Sequence, residues 1–198
     1  MCKHCDRQAM QQRSKNINGR NGLTLIELLV VVAILAILAG MSISALGEYI
    51  PDYRLQNAAR ELYTNMHKAK MEAIKRNSDV RIVFDVDDSR YAVSLNSGDD
   101  DKLSTITDND NLEIVSLSKY DQVGYGSGKA SFDATTEKKS LPEDNVSFGS
   151  NMVLFNSYGT GDAGYVYIEN SNGDSYAVGS LSSGVVVIKK WKNDDWYE

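Results

Sequence analysis

Cysteine and histidine are almost absent from this sequence. The 198 residues contain two cysteines, Cys2 and Cys5, and two histidines, His4 and His67. After residue 5 no disulfide and no thiolate metal site can form, and no Cys-His catalytic arrangement is available. His67 is the one histidine left there, and it is not expected to be catalytic. Residues 2–5 supply half of a zinc-knuckle pattern, but no second pair follows. The sequence therefore predicts a protein that is not an enzyme and that uses no cofactor and no metal site.

Proline is also rare, with two residues, and fifteen glycines are too few for a low-complexity linker. Apolar residues make up 42% and charged residues 24% of the chain. That mixture is typical of globular proteins and excludes a disordered or collagen-like chain. The length allows one domain or two small ones. The net charge of −6 disfavours a general nucleic-acid binder.

Positive charge is concentrated at the N-terminus. Residues 1–22 carry five basic side chains against one acid, a net charge of +4, so the remainder of the chain carries −10. The next 24 residues, 23–46, contain one ionisable side chain, Glu27. As a helix this run would be about 36 Å long, enough for a hydrocarbon core of about 30 Å. A basic flank before an apolar run predicts a membrane-spanning helix with a cytoplasmic N-terminus.

A cleaved secretory signal peptide is the alternative interpretation of this run. Such a peptide has an apolar core of about 7–15 residues and a small-x-small cleavage site. Residues 23–46 are longer than that, and no such site follows closely. The start of translation stays open between Met1 and Met10, and a start at Met10 would remove both cysteines.

Glu27 is the unusual residue of the apolar run, because a carboxylate in a membrane helix is costly unless it reaches the interface or has a partner. The sequence around it reads Gly22-Leu23-Thr24-Leu25-Ile26-Glu27. This pattern closely resembles the cleavage site of type IV prepilins and type II secretion pseudopilins. Leu23 stands where phenylalanine is commoner in those families.

The resemblance implies a processing site and an assembly site. A prepilin peptidase would cut between Gly22 and Leu23, and the new N-terminal Leu23 would be N-methylated. Glu27 of a neighbouring subunit can neutralise the cationic amine created there. Two buried charges, each costly alone, then form one ion pair, and this pairing fixes the register of the packed helices. The implied partners are the prepilin peptidase, other pseudopilins or pilins, an inner-membrane assembly platform and membrane lipid, with no specific nucleic acid.

The same resemblance divides the chain into three parts. Residues 1–22 are a cleaved leader, residues 23–50 a transmembrane and assembly helix, and residues 51–198 a globular domain. The protein is expected to cross the bacterial inner membrane once, with its C-terminal domain in the periplasm.

The helix is predicted to continue beyond the membrane, with a kink or restart at Pro51 and an end at Asn77-Ser78. Opposite charges lie four residues apart on one face, as Lys68–Glu72 and Glu72–Arg76. Apolar residues recur at spacings of three and four on another face, which predicts a stripe that packs on a sheet. That stripe contains Leu55, Ala58, Leu62, Met66, Ala69 and Ala73.

From Val80 the apolar period changes to two, which predicts strands. A hairpin is expected around Asp87-Asp88-Ser89, with Val80, Ile82 and Phe84 on one face, and a second around Asn172-Gly173. The fold class is therefore α+β, a long N-terminal helix packed on an antiparallel β-sheet domain of pilin type. The predicted strands are 80–86, 90–95, 112–117, 146–148, 152–155, 165–168, 176–178 and 185–191, the last closing the sheet, and the predicted surface loops are 96–111 and 119–140.

The globular part refines the resemblance. Residues 57–62, 155–160 and 181–185 are similar to the H-type minor pseudopilins, the GspH/FimT group, and the similarity extends over nearly the whole chain from Gly22. Relatives that bind DNA carry arginines directly after the glycine that matches Gly184. Here Val185, Val186 and Val187 occupy those positions, and the basic residues Lys189, Lys190 and Lys192 come later, so DNA uptake is not expected.

Three features of the globular part leave alternatives open. The acids between Asp99 and Asp110 could supply oxygen ligands to calcium, although acid runs are usually solvated and their spacing matches no standard calcium loop. Trp191 is expected in the core, whereas Trp196 is expected to be exposed for contact with a partner subunit. His67 is interpreted as a solvated or interface residue. The acids in question are Asp99, Asp100, Asp101, Asp108 and Asp110.

The resemblance implies a minor pseudopilin of a type II secretion system, a structural subunit near the tip of the pseudopilus that assists export of folded proteins. The alternative within the same fold is a minor pilin of a type IV pilus, with a role in assembly, adhesion or DNA uptake. A single-span membrane-anchored binding or enzymatic domain is the alternative from another class. The lack of a catalytic cluster counts against it.

Overall fold

A long unbroken helix, α1 (Leu25–Arg76), begins the computed structural model, which describes residues 24–95 and 111–198. The chain consists of two compact units, Met1–Ser42 and Ile43–Glu198. Among the described residues, no helix combines the length and the apolar character needed to cross a membrane.

The second part of α1 follows the sequence prediction closely. Pro51 lies inside the helix and does not end it. The helix stops at Arg76, and Asn77 has a left-handed backbone with φ of 50°, the conformation typical of a residue just beyond a helix C-terminus. The six residues of the predicted apolar stripe are all at most 1% exposed. The stripe therefore forms the helix side of the core.

Strands follow the helix in two antiparallel sheets. The first sheet has the order β3-β2-β1-β5, and the second has the order β4-β6-β7-β8-β9. The strands are β1 (Val80–Asp85), β2 (Arg90–Leu95), β3 (Asn111–Ser116), β4 (Val123–Tyr125), β5 (Met152–Phe155), β6 (Gly164–Asn170), β7 (Ser175–Ser180), β8 (Val186–Lys192) and β9 (Asp195–Tyr197). One-turn 3-10 helices occupy Leu117–Lys119 and Gly149–Asn151.

One main core joins α1 to both sheets. Leu62 and Met66 of the helix belong to the same buried cluster as Ile82 of β1 and Val178 of β7. A buried polar contact crosses this core, since the side-chain amide of Asn65 donates to the hydroxyl of Tyr91 at 2.9 Å. The predicted α+β class, with a long helix packed on antiparallel sheet, is confirmed.

Both predicted hairpins form. In the first, Val80 pairs with Leu95 and Asp85 with Arg90. In the second, β6 pairs with β7, and Gly173 has φ of +77° in the connection.

Strand β1 is buried on both faces over residues 80–84. Val80, Ile82 and Phe84 do join the main core, but Arg81 and Val83, whose side chains lie on the opposite face, are each only 6% exposed. The Nε of Arg81 donates to Ser94 Oγ at 3.0 Å. The first sheet is therefore covered on both faces at this strand.

Residues 119–140 do not form the long surface loop that was predicted. They contain β4, which pairs with β6, and Ala134 is 1% exposed in a small second core with Tyr165, Tyr167 and Ala177. The carboxylate of Asp133 accepts hydrogen bonds from the backbone N–H groups of Thr135 and Lys139. Because glycine, serine and lysine make up ten of these 22 residues, the few buried residues carry little periodic signal.

Two other strand predictions need correction. Residues 146–148 form no strand, and Val146 makes an isolated bridge to Val166. The strand 185–191 does not close the sheet, because β9 pairs with β8 in the register Trp191 to Trp196. The connecting residues Asn193 and Asp194 have φ of 50° and 57°, as a two-residue hairpin requires.

Trp196 is consequently not the exposed side chain that was expected. It is half-buried, and its ring centroid lies 5.2 Å from that of Trp191 and 5.6 Å from that of Tyr167. Its indole N–H donates to the backbone oxygen of Phe132 at 2.9 Å. Trp191 is 8% exposed, as predicted.

Candidate assembly site and interaction surfaces

The described part of the assembly site begins at Thr24, since Gly22 and Leu23 lie outside the described residues. Thr24 precedes α1, and its backbone oxygen accepts the N–H of Leu28 at 3.1 Å. Its hydroxyl oxygen accepts the backbone N–H of Glu27 at 3.2 Å. Thr24 therefore caps the helix in the usual manner of an N-cap threonine.

Glu27 stands in the first turn of α1, three residues after its cap. The spacing Thr24-x-x-Glu27 is that of a capping box, a local signal for the start of a helix. A negative side chain in the first turn interacts favourably with the helix dipole. The Glu27 side chain is exposed at this position.

Apolar side chains are exposed all round the helix after Glu27. All residues from 24 to 40 are exposed, including Leu25 at 82% and Ile26 at 68%. This surface has no covering protein within the described residues of its own unit. An exposed apolar surface of this kind is typical of a site of contact with another molecule.

Ion pairs join α1 to the sheets in the second unit. Arg54 Nη1 lies 2.7 Å from Asp121 Oδ2, and Lys190 Nζ of β8 lies 2.6 Å from Asp52 Oδ1. Further along the helix, Glu61 pairs with Lys119 at 2.5 Å. Lys190 lies in β8 of the second sheet, whereas Asp121 and Lys119 lie between β3 and β4, so these pairs join the helix to the second sheet and to that connecting segment.

The predicted pairing of Lys68 with Glu72 is wrong, whereas that of Glu72 with Arg76 is confirmed at 2.7 Å. Glu72 also binds Lys75 at 3.2 Å, and its contacts with Arg76 and Lys75 lower its pKa below the usual range. Lys68 lies instead 3.6 Å from Glu113 of β3. Tertiary contact with the sheet thus replaces the expected contact along the helix.

A groove of about 520 Å³ runs between this end of α1 and strands β2 and β3. Met71 and Leu112 line it and are 62% and 41% exposed. His67 also lines it, with its ring 4.6 Å from that of Tyr63. Burial, with the positive charge of Lys70, lowers the pKa of His67. His67 is therefore half-buried beside a groove, and no described carboxylate or thiol contacts it as a catalytic partner would.

Two turns near the C-terminal end of α1 are held in close contact. Gly159 and Gly184 have φ of +78° and +72°, and a Cβ at position 184 would overlap the backbone oxygen of Gly159. The ammonium of Lys70 donates to the backbone oxygen of Gly184 at 2.8 Å. Residues 155–160 and 181–185, two of the segments that carry the family resemblance, thus lie in contact.

The lysines after Gly184 are mostly engaged within the protein. Lys189 Nζ donates to the backbone oxygen of Ala134 at 2.9 Å, and Lys190 is paired with Asp52. Lys192 is the exposed member of the three. This arrangement leaves little positive charge for phosphate contacts.

The acidic residues Asp99 to Asp110 lie outside the described residues, as do Cys2 and Cys5. Within residues 24–95 and 111–198, no group of three or more histidine, cysteine or acidic side chains is placed to hold a metal ion. Calcium binding by the acidic segment stays an untested hypothesis.

Two protein-family models match this sequence. The family described as "Type II transport protein GspH" matches residues 58–184, more than half of the chain. The chain belongs to the GspH family. The predicted family resemblance, and with it the class of type II secretion pseudopilins, is confirmed. The family is one of structural subunits and is not known for enzymes.

The second match, to the "Prokaryotic N-terminal methylation motif", covers residues 17–43. That range includes Gly22, Leu23 and Glu27, the residues of the predicted processing and assembly sites. In pseudopilins this motif is typical of a membrane-anchored protein. Cleavage at Gly22 and pairing by Glu27 themselves stay predictions.

This chain is also similar to individual proteins, either over part of their length or at low sequence identity. The "Pilin-like protein PilA1" of Thermus thermophilus is 45% identical over 62 residues, which are 31% of this chain and 38% of that protein. The match thus spans well under half of that relative. Two structures of the minor pseudopilin EpsH from the type II secretion system of Vibrio cholerae are 14% identical to this chain. They have TM-scores of 0.45 and 0.44, and the matches cover 68% and 70% of this chain and 95% and 94% of those chains.

Proposed function

We propose that this chain is a minor pseudopilin, a structural subunit near the tip of a type II secretion pseudopilus that assists the export of folded proteins. The observation that carries the proposal is the presence of two matches in one chain. An N-terminal methylation motif covers residues 17–43, and a GspH domain covers residues 58–184. The chain acts as a subunit and carries out no reaction of its own.

Processing is the first step of this function. Prepilin peptidase removes residues 1–22 by cutting after Gly22, and Leu23 becomes the N-methylated first residue. Residues 23–50 then anchor the protein in the inner membrane, and residues 51–198 form the periplasmic domain. The +4 charge of residues 1–22 supports this orientation.

Assembly is the second step, and Glu27 is the residue that directs it. The capped first turn of α1 presents the carboxylate of Glu27 beside the exposed apolar surface of residues 25–40. When two such helices pack, the amine of Leu23 on one subunit is neutralised by Glu27 of the other. An unpaired charge left in that apolar contact would cost several kcal/mol, so correct register is favoured strongly.

A minor pilin of a type IV pilus is the second candidate. The similarity of 62 residues to a protein named as pilin-like favours it. That similarity covers 31% of the chain, whereas the GspH match covers more than half, so we place the secretion function first.

Deletion of the gene tests the two candidates against each other. For a pseudopilin, exported enzymes should accumulate in the periplasm and return to the medium when the gene is restored. For a pilin, export should stay normal while surface pili or their adhesion are lost, which would overturn the secretion function. N-terminal mass spectrometry of the membrane fraction should find Leu23, N-methylated, as the first residue.

The role of Glu27 is tested by crosslinking. Because the chain has no cysteine after position 5, an Ile37→Cys substitution provides one crosslinking site on the exposed helix surface. Glu27→Ala should keep normal abundance in the membrane and lose crosslinks to other pseudopilins, and Glu27→Gln should be intermediate at best. Glu143→Ala, which removes an exposed acid of the globular domain, is the matched control. Normal crosslinks in Glu27→Ala would show that helix packing alone directs assembly.

A further inference from the structure

Two exposed tyrosines stack on each other on α1. Tyr49 and Tyr53 have ring centroids 6.5 Å apart and an interplanar angle of 15°, and they are 65% and 53% exposed. No described residue makes a hydrogen bond to either hydroxyl. The function proposed above makes no use of this pair.

The pair lies on the side of the helix that faces away from the globular domain. Pro51 is buried and Leu55 is 0% exposed. Pro51 lies about half a helical turn from each tyrosine, and Leu55 lies about half a turn beyond Tyr53. Asp52 and Arg54, which flank the same side as Pro51, are paired with Lys190 and Asp121 of the domain. The domain therefore covers one side of α1 at this level and leaves the aromatic side open.

The position of the pair in the chain indicates what covers it. Tyr49 follows the last residue of the apolar run, Leu46, by three positions, which is about 4.5 Å along a helix. Each interfacial layer of a bilayer is about 5–8 Å thick. Side chains on a helix tilt toward its N-terminus, so the ring of Tyr53 covers the turn below its own Cα. Both rings thus fall at the level of the headgroups.

We propose that Tyr49 and Tyr53 form an aromatic anchor in the outer headgroup layer of the inner membrane and set how deep the helix sits before it enters the fibre. The inference rests on the membrane anchoring proposed above. Tyrosine suits this layer because its ring is apolar and its hydroxyl needs a polar partner, which headgroups and water supply. Contact with an apolar surface of a neighbouring helix would leave the two phenolic hydroxyls without hydrogen-bond partners, which is costly.

A nitroxide label next to the pair measures its depth. The full chain, with Cys2 and Cys5 replaced by serine and Ile50→Cys as the labelling site, is reconstituted in vesicles of phosphatidylcholine and phosphatidylglycerol. Ile50 is 41% exposed and lies between the tyrosines in sequence. Frequent collisions of the label with oxygen indicate that it lies in the hydrocarbon core. Frequent collisions with a water-soluble nickel chelate indicate that it lies in water.

The inference predicts a specific order of depths. In the parent chain the label should lie between the hydrocarbon core and the water, and it should collide with both oxygen and the nickel chelate. Tyr49→Ser with Tyr53→Ser should shift the label toward water, and Tyr49→Leu with Tyr53→Leu should shift it toward the hydrocarbon. Replacement of both by tryptophan should restore the parent depth. Tyr158→Ser is the matched control, because Tyr158 is 91% exposed on a turn of the globular domain, and it should cause no shift.

Three results would overturn the inference. Unchanged depth in the serine variant of a chain that resists alkaline extraction would overturn the anchor and leave the membrane insertion intact. A shift that appears only when a second pseudopilin is reconstituted alongside would assign the pair to a neighbouring helix. Release of the parent chain by alkali would overturn the membrane anchoring itself, together with this inference.

Discussion

Lys190 Nζ lies 2.6 Å from Asp52 Oδ1, and this pair joins strand β8 to the middle of α1 across 138 residues of sequence. Burial alone would lower the pKa of Lys190, but the contacts with Asp52, Tyr176 and Asp174 outweigh it and raise the pKa above its usual value. Asp52 directly follows Pro51, at the level where the domain begins to cover the helix. The pair therefore fixes this turn of α1 on the second sheet.

Removal of this pair should weaken the helix contact only modestly. Both side chains are about one-third exposed, at 34% and 37%, and a pair so accessible to water contributes about 0.2–1 kcal/mol. A double-mutant cycle with Asp52→Ala and Lys190→Ala, measured by urea unfolding of the purified chain, should give a coupling energy in that range. A coupling indistinguishable from zero would contradict a role in fixing the helix.

Gly184→Ala should destabilise the domain markedly. Position 184 has φ of +72°, and a Cβ there would overlap the backbone oxygen of Gly159, so strain of about 1–3 kcal/mol is expected. Gly124→Ala is the control, since nothing lies within 4 Å of a Cβ at that position, and its stability should be unchanged. Equal midpoints of urea unfolding for the two variants would show that the contact between the two turns is not constrained as described.

The stability of the domain should fall in mild acid because of His67. Its pKa is lowered in the folded state, so the unfolded chain binds this proton more tightly. The stabilisation from this group is complete above the usual imidazole pKa of about 6.5 and is lost as the pH falls through the lower, folded pKa. His67→Gln should therefore show a smaller loss of melting temperature over that range than the parent chain. An identical pH dependence in the two chains would contradict this assignment, because the only other histidine is His4.

Binding to DNA should be weak. The chain after residue 22 has a net charge of −10, and Lys189 and Lys190 are engaged with Ala134 and Asp52. In a gel shift at physiological salt the purified chain should leave duplex DNA almost unbound, since phosphate contacts supply most of the affinity. Val185→Arg with Val187→Arg should increase the shift and its salt dependence. Tight binding by the parent chain would favour the DNA-uptake alternative.

Helix α1 shows how much local pattern can predict. Spacings of three and four placed Leu55, Leu62 and Ala73 on one face, and all three are buried. The end of the helix was expected at Asn77-Ser78, and the helix stops at Arg76, directly before it. These features depend on neighbours within one or two turns, so they can be derived without knowing what packs against the helix.

The sequence alone determined the class of the protein. A basic N-terminal segment, the Gly22 to Glu27 pattern, an apolar run, an amphipathic helix and antiparallel strands could be read because each depends on residues close together in the chain. The tertiary structure alone decided which polar residues become buried or paired. Lys68 contacts Glu113 instead of Glu72, Arg81 is enclosed, and Trp196 turns back onto Trp191 through the hairpin at Asn193 and Asp194. Those outcomes depend on segments that are distant in sequence and pack on these residues. Burial by a distant segment produces no periodic pattern of apolar residues in the segment that it covers.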